Sequence, residues 1–240
     1  FYILVVHNFF RILVMKNIII FYIFFSSLTW SQDMNFANLL YENYSKYLES
    51  NIQQKRFKYD EFIKLIEKHK KNSIFTIVTQ GKSVERREIF LINYGSRKRK
   101  VFLWSQMHGD EPTATMALFD IFNFLASQDF CDVKKNIAEQ LTIYFMPNVN
   151  PDGAELFQRR NKLEIDLNRD AARLETPEAK ILMSTYKSIN ADFGFNLHDQ
   201  SSRYSVGSSF KQATISFLAP PYNYEKEYNH VRDNSVKVIV

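Results

Sequence analysis

The sequence has very little cysteine, and this scarcity excludes two kinds of stabilising site. Cys131 is the only cysteine among the 240 residues. The chain can therefore form neither an intrachain disulfide nor a zinc site built from cysteines. The acidic neighbours Asp129 and Asp132 disfavour a reactive thiolate at this position. We interpret Cys131 as a small buried residue and not as a nucleophile.

Sequence typical of linkers is also scarce. The chain contains six glycines and six prolines, and no repeat and no Gly/Ser-rich or Pro-rich stretch occurs between residues 35 and 240. Hydrophobic side chains make up 45% of the residues and charged ones 24%, which excludes a disordered chain and a polytopic membrane protein. We therefore predict one globular domain.

The basic surplus is small and is not concentrated in one place. Thirty-one basic residues stand against 26 acidic ones, and two of the basic residues, Arg11 and Lys16, lie in the acid-free segment 1–31. The short basic runs at 68–71 and 97–100 are typical of solvated turns or helix ends. A nucleic-acid surface would show a denser basic stripe with interleaved aromatic residues. We predict no nucleic-acid partner.

The N-terminal region is typical of an export signal. Met15 and Lys16 precede an apolar run over residues 18–25, and small residues then follow over 26–31. This order predicts a signal peptide at 15–31, with residues 1–14 as upstream read-through. The mature protein would be exported, periplasmic or secreted, without stable membrane association. The alternative is an uncleaved anchor over residues 1–28, although the apolar run after Lys16 is short for a span.

The order of predicted elements indicates an α/β fold. Two amphipathic helices, over 36–48 and 59–66, form an N-terminal helical segment at 32–72. Further helices are predicted to open at Pro112, at Thr176 and at Tyr224. Six short apolar runs predict strands: Ile74 to Val78, Ile89 to Ile92, Val101 to Trp104, Leu141 to Met146, Phe193 to Leu197 and Ile215 to Leu218. Residues 73–240 would then form a mixed, mostly parallel twisted sheet with helices on both faces.

Three polar residues follow strands of this predicted sheet and suit a metal ion. His108 and Glu111 come after the third strand, and His198 comes directly after the fifth. Ligands bind at the carboxyl ends of strands in such sheets. Two imidazoles and one carboxylate leave a fourth position for water, the pattern of a catalytic zinc site. The remaining histidines are less suitable as metal ligands. His7 lies in the leader, His69 in a Lys-rich helix end and His230 in a charged helix.

Three further polar motifs lie between the fourth and fifth strands. They are Asn150-Pro151-Asp152-Gly153, Arg159-Arg160-Asn161 and Asp166-Leu167-Asn168-Arg169. The first is also typical of a loop rich in turn formers with Asn and Asp caps, and the other two could be solvated surface. However, an Asn beside an Arg offers amide and guanidinium donors, which suit a planar carboxylate.

With these motifs in this order, the chain resembles the zinc carboxypeptidases of the carboxypeptidase A-like family, especially exported bacterial members, over about residues 70 to 225. The resemblance implies that His108, Glu111 and His198 bind one zinc ion. It implies that Asn168 and Arg169 hold the free carboxylate of a peptide or protein C-terminus. Arg159 would polarise the scissile carbonyl and stabilise its oxyanion, with Arg160 as the alternative. The implied activity is hydrolysis of the C-terminal peptide bond by metal-activated water.

One part of the family's active site has no counterpart in the sequence. The general-base glutamate of these enzymes lies well beyond the third zinc ligand, and no glutamate after His198 matches its motif. We therefore expect a carboxypeptidase chain that is incomplete at its C-terminus and inactive as it stands. The alternatives are a zinc amidase or deacylase of the same superfamily, and a non-catalytic zinc- or peptide-binding remnant.

Overall fold

The computed structural model describes residues 36–200 and 205–211, together with residues 230, 233 and 237. The chain divides between Leu48 and Glu49 into two units. In the first unit, residues 36–43 are helical and a 3-10 turn follows at Tyr44–Lys46, close to the predicted helix. The signal peptide at 15–31 and the strand from Ile215 to Leu218 lie outside the described residues, as does most of the helix from Tyr224. Export of the protein therefore stays a prediction.

The second unit alternates strands and helices. Its strands are β1 (Phe75–Lys82), β2 (Glu88–Tyr94), β3 (Arg99–Ser105), β4 (Leu141–Met146) and β5 (Phe193–Leu197). Its helices are α1 (Tyr59–Lys70), α2 (Thr113–Ala126), α3 (Cys131–Gln140), α4 (Pro151–Leu156), α5 (Leu167–Asp170) and α6 (Pro177–Ile189). No helix within the described part of the chain is both long and apolar enough to cross a bilayer.

The five strands form one mixed sheet in the order β1-β2-β4-β3-β5. β2 is antiparallel to both of its neighbours, whereas β3 is parallel to β4 and to β5. Four of the five described strands therefore point the same way. The predicted mixed α/β sheet is confirmed, and its parallel part contains the two strands that lead to His108 and His198.

Helices cover both faces of the sheet, as predicted. Successive side chains of a strand point to opposite faces. On β2, Phe90 and Ile92 pack with α1 and α2, whereas Ile89 and Leu91 pack with α6. The Thr176 hydroxyl accepts a hydrogen bond from the Ala179 N–H at 3.2 Å, so α6 begins at the cap that the sequence indicates.

Helix α3 is the main element that the sequence analysis missed. Its residues are mostly polar and give only a weak apolar stripe, so periodicity does not reveal it. Cys131 is the first residue of this helix and is exposed, and its Sγ donates to the Gln128 carbonyl at 3.0 Å. The interpretation of Cys131 as a buried residue was wrong, because the first turn of α3 leaves this side chain in solvent.

A histidine lies inside the aromatic part of the core. His69, at the end of α1, is 2% exposed, and its Nε2 has no hydrogen-bond partner among the described residues. Its ring stacks on Phe119 and meets Phe75 and Phe122 edge-on. Burial, followed by the nearby Lys68 charge, lowers the pKa of His69 from 6.5 to about 4, with Glu49 opposing the change. The imidazole is therefore neutral at neutral pH.

We expect His69→Phe to remove an acid sensitivity of the fold. Because the pKa of His69 is lower in the folded state, its contribution to stability is complete above pH 6.5 and falls as the pH drops towards 4. The loss at pH 4 corresponds to about 3 kcal/mol. Urea unfolding at pH 7 and pH 4 would measure it, with the exposed His230→Phe as the control. An equal loss in His69→Phe and the unsubstituted protein would contradict this assignment.

Candidate metal centre

The sheet brings the three predicted ligands to one edge. β3 ends at Ser105 and leads to His108, and His198 follows β5 directly. Ser105 pairs with Leu197 in the parallel β3–β5 ladder, so the two strand ends lie side by side. Glu111 lies two residues before the first residue of α2. The predicted site therefore forms at the carboxyl ends of parallel strands.

The carboxylate of Glu111 lies between the two imidazoles. Its Oε1 is 2.8 Å from Nδ1 of His108, and its Oε2 is 2.7 Å from Nδ1 of His198. One ligand atom from each residue lies within 4.8 Å of the other two. Within the described ranges, this is the one group of three such residues that could hold a metal ion. Its three donors match the two-His, one-carboxylate set of catalytic zinc sites.

Electrostatics keep the Glu111 carboxylate ionised. Burial raises the pKa of Glu111, but the hydrogen bonds with His108 and His198, together with their charges, outweigh burial and hold this pKa well below its usual range. A metal-binding carboxylate must be deprotonated. The pair of histidines therefore leaves Glu111 in the form that a cation requires.

Asp166 contacts Nε2 of His108, the ring nitrogen that faces away from Glu111. Its Oδ1 lies 3.2 Å from Nε2 of His108, which is 3% exposed. When a metal ion takes the place of the proton that Nδ1 shares with Glu111, a proton on Nε2 would donate to the Asp166 carboxylate and leave the lone pair of Nδ1 for the metal. This carboxylate–histidine arrangement is typical of metal sites and fits a zinc ion. The sequence places Asp166 in a motif but does not indicate its role, because nothing in the local pattern shows which histidine it contacts.

Arg159 contacts both Asp166 and Glu111. Its Nε and Nη2 donate to Oδ2 of Asp166 at 3.1 and 3.0 Å, and its Nη1 is 3.5 Å from Oε1 of Glu111. Arg160 instead donates to the backbone carbonyl of Glu164 at 3.1 Å. Of the two neighbouring arginines, the geometry favours Arg159 as the cation of the site.

Comparison with known proteins agrees with this geometry. Residues 59–233 match the sequence profile described as zinc carboxypeptidase, Peptidase_M14. The chain belongs to the zinc carboxypeptidase family. Carboxypeptidase SOL1 of Arabidopsis thaliana is 27% identical over 144 residues, which cover 53% of this chain and 29% of that protein. Carboxypeptidase 2 of Trichophyton rubrum is 26% identical over 118 residues, which cover 49% of this chain and 21% of that protein.

Solved structures show the same fold. The metallo-carboxypeptidase from Burkholderia cenocepacia matches with a TM-score of 0.55 and 22% identity, over 59% of this chain and 40% of that one. Carboxypeptidase A from Helicoverpa armigera matches with a TM-score of 0.52 and 17% identity, over 72% of this chain and 53% of that one. The chain thus spans less than a third of the length of the two sequence relatives, and about half or less of these two structures.

The predicted carboxylate-binding pair of this zinc carboxypeptidase family member lies on α5. The Asp166 side chain caps this helix by accepting from the Asn168 N–H at 3.0 Å. Oδ1 of Asn168 accepts from the amide of Asn196, on β5, at 3.3 Å. Arg169 is exposed. The pair therefore begins two residues from the carboxylate that holds His108, on the side of the site formed by β5.

The segment with the Asn150-Pro151-Asp152-Gly153 motif packs against the loop that contains His108. The Asn150 side chain caps α4 by accepting from the Gly153 N–H at 2.9 Å, as the cap interpretation predicts. Its amide also donates to the Met107 carbonyl at 3.2 Å, and its own N–H donates to the Gln106 carbonyl at 3.1 Å. Asn150 is fully buried. The two loops are therefore joined through backbone groups next to His108.

Asp152 connects this loop to the turn between β1 and β2. Its fully buried carboxylate accepts from the Ser83 hydroxyl at 2.7 Å, from the Glu85 N–H at 2.9 Å and from Arg87 at 2.8 Å. A buried carboxylate with three donors is satisfied, so its burial does not leave an unpaired charge. The motif is visible in the sequence, but these partners are not.

Proposed function

We propose that this protein is a zinc-dependent metallocarboxypeptidase, which hydrolyses the C-terminal peptide bond of peptides or proteins. The observation that carries the proposal is the meeting of His108, Glu111 and His198 within 4.8 Å, with Arg159 beside them. Membership of the zinc carboxypeptidase family supports it. Because the chain spans less than a third of the length of its two sequence relatives, we infer this activity for the whole protein and not for the present chain alone.

The metal ligands would be Nδ1 of each histidine and the carboxylate of Glu111, holding one zinc ion. When bound, zinc lowers the pKa of a coordinated water and polarises a carbonyl group. Asp166 would keep the proton of His108 on Nε2 and fix the orientation of the ring. Glu111, ionised by its two partners, would balance part of the charge of the cation.

Arg159 and the α5 pair would bind the substrate. The Arg159 guanidinium is held on Asp166 by two hydrogen bonds, so its Nη1 group, 3.1 Å from Nδ1 of His108, is directed at the site before a substrate arrives. A fixed cation beside the scissile carbonyl stabilises the negative charge that develops on its oxygen. Asn168 and Arg169 would donate to the free carboxylate of the last residue.

The test is a comparison of blocked dipeptides that differ only at the C-terminus. We expect about one zinc per chain in the purified whole protein, and hydrolysis by that protein of the dipeptide with a free carboxylate but not of its C-terminal amide. Removal of the metal with a chelator should abolish hydrolysis, and added zinc should restore it.

Three results would contradict the proposal. Equal hydrolysis of the amide would show that the terminal carboxylate is not recognised. Cleavage of acyl amino acids without cleavage of any dipeptide would indicate the amidase or deacylase of the same superfamily. A protein that binds zinc and peptide but hydrolyses neither substrate would be the non-catalytic binding protein.

A further inference from the structure

Asp199 joins three segments of the chain next to the metal centre. Its Oδ1 accepts from the Thr113 N–H at 3.0 Å, and its Oδ2 accepts from the Thr113 hydroxyl at 2.7 Å. The ammonium group of Lys55 lies 2.7 Å from the same Oδ2. The backbone N–H of Asp199 donates to Oε2 of Glu111 at 3.3 Å. Only 13% of the Asp199 side chain is exposed.

These contacts connect the segments that carry two of the three ligands. His198 is the residue before Asp199, and Glu111 lies two residues before Thr113. The carboxylate of Asp199 therefore ties the end of β5 to the start of α2, and its N–H touches the Glu111 carboxylate directly. Any change in the distance between these segments would change the distance between His198 and Glu111.

Helix α2 needs an acceptor at this position. The first N–H groups of a helix have no partner within the helix. The residue before α2 is Pro112, which provides no side-chain cap, and the first turn contains no acid. Asp199 supplies the missing negative charge from another part of the chain, 86 residues away. The start of α2 is thus held by the residue that follows a metal ligand.

Lys55 contributes a weaker contact from the segment that precedes the family match. The match begins at residue 59, so this contact is a feature of this chain outside the matched range. More than half of the Lys55 side chain is exposed, at 57%. Exposed ion pairs contribute little because water screens them. We therefore expect the Thr113 contacts, and not the Lys55 contact, to fix Asp199.

We propose that Asp199 is a positioning residue that holds His198 and Glu111 at metal-binding distance and thereby raises the affinity for zinc. This inference rests on the proposed zinc site. Substitution of groups that orient metal ligands typically weakens metal binding by about 10- to 100-fold. Asp199→Ala should weaken zinc binding to that extent. Asp199→Asn keeps an oxygen for the Thr113 N–H and should lose less.

The test measures the zinc dissociation constant by competition with a chromogenic chelator, alongside the unfolding temperature without metal. The matched control is Lys55→Met, which removes the third partner of Asp199 and should leave zinc affinity nearly unchanged. Thr113→Val removes the hydroxyl contact alone and should give an intermediate loss. A purely structural role would lower the unfolding temperature without changing zinc affinity in the folded variants.

Distinct outcomes separate this inference from the proposed function. If the unsubstituted protein binds zinc and Asp199→Ala binds it equally well, the positioning role is wrong and the metal site stands. If the unsubstituted protein binds no zinc, both are wrong. If Asp199→Ala does not fold, the comparison of Asp199→Asn with Lys55→Met decides, and equal zinc affinity in these two would overturn the positioning role.

Discussion

Gly109→Ala is expected to destroy the metal centre. A methyl group on residue 109 would lie 2.0 Å from the backbone carbon of Gly153 and 2.3 Å from the backbone nitrogen of Ala154. No side chain can move aside to relieve these contacts, because both atoms belong to the main chain. Separating the His108 loop from α4 would also stretch the hydrogen bonds of Asn150, the cap of α4, to the Met107 and Gln106 carbonyls. We expect loss of bound zinc and a lower unfolding temperature.

Gly207→Ala is the matched control for this substitution. Its added methyl group meets nothing within 4 Å, although the φ angle of +55° is a conformation that favours glycine. The strain of this conformation costs about 1–2 kcal/mol. Gly207→Ala should therefore keep its zinc and lose no more stability than this strain accounts for. A Gly109→Ala protein with full zinc content and an unchanged unfolding temperature would show that the His108 loop and α4 can separate freely.

In the whole protein, Arg159→Ala should lower kcat by about 100- to 1,000-fold, the usual effect of removing one group that stabilises an oxyanion. The three metal ligands remain in this variant, and Asp166 keeps its contact with His108. The loss should therefore appear in the hydrolysis of the dipeptide with a free carboxylate, while the protein still binds about one zinc. Steady-state kinetics and metal analysis of the same sample would measure both.

Arg160→Ala is the adjacent control. Arg160 carries the same charge but donates to the Glu164 carbonyl, away from the metal ligands. Its removal should leave kcat nearly unchanged. A larger loss in Arg160→Ala than in Arg159→Ala would reverse the assignment of the two arginines, and a loss of zinc in Arg159→Ala would assign it a role in holding the ligands instead.

The meeting of His108, Glu111 and His198 could be anticipated because each histidine follows a strand whose apolar pattern is local. Each ligand follows an apolar strand, and parallel strands end at one edge of the sheet, so His108 and His198 could be placed together from the sequence. The choice between Arg159 and Arg160 could not be made, because neighbouring residues on an irregular segment point in directions that only the folded backbone decides. Geometry favours Arg159.

Long-range polar contacts were beyond sequence analysis for a physical reason. Asp152 and Arg87 are 65 residues apart, and Asp199 and Thr113 are 86 residues apart. Neither pair has a periodic pattern, because a hydrogen bond between loops leaves no repeat in either segment. Helix α3 was missed for a related reason, since its polar composition hides the helical period.

The contact between Gly109 and Gly153 also limits how sequences of this fold can diverge. The His108 loop and helix α4, which touch through their main chains, cannot lengthen or shorten independently, because an inserted residue in either one would push the other away. Insertions should instead accumulate at turns that are exposed and touch no ligand, such as the stretch at 205–211, where an added side chain on Gly207 meets open space. The contact between the two glycines thus constrains the length of the chain on either side of it, whereas exposed turns elsewhere are free to change length.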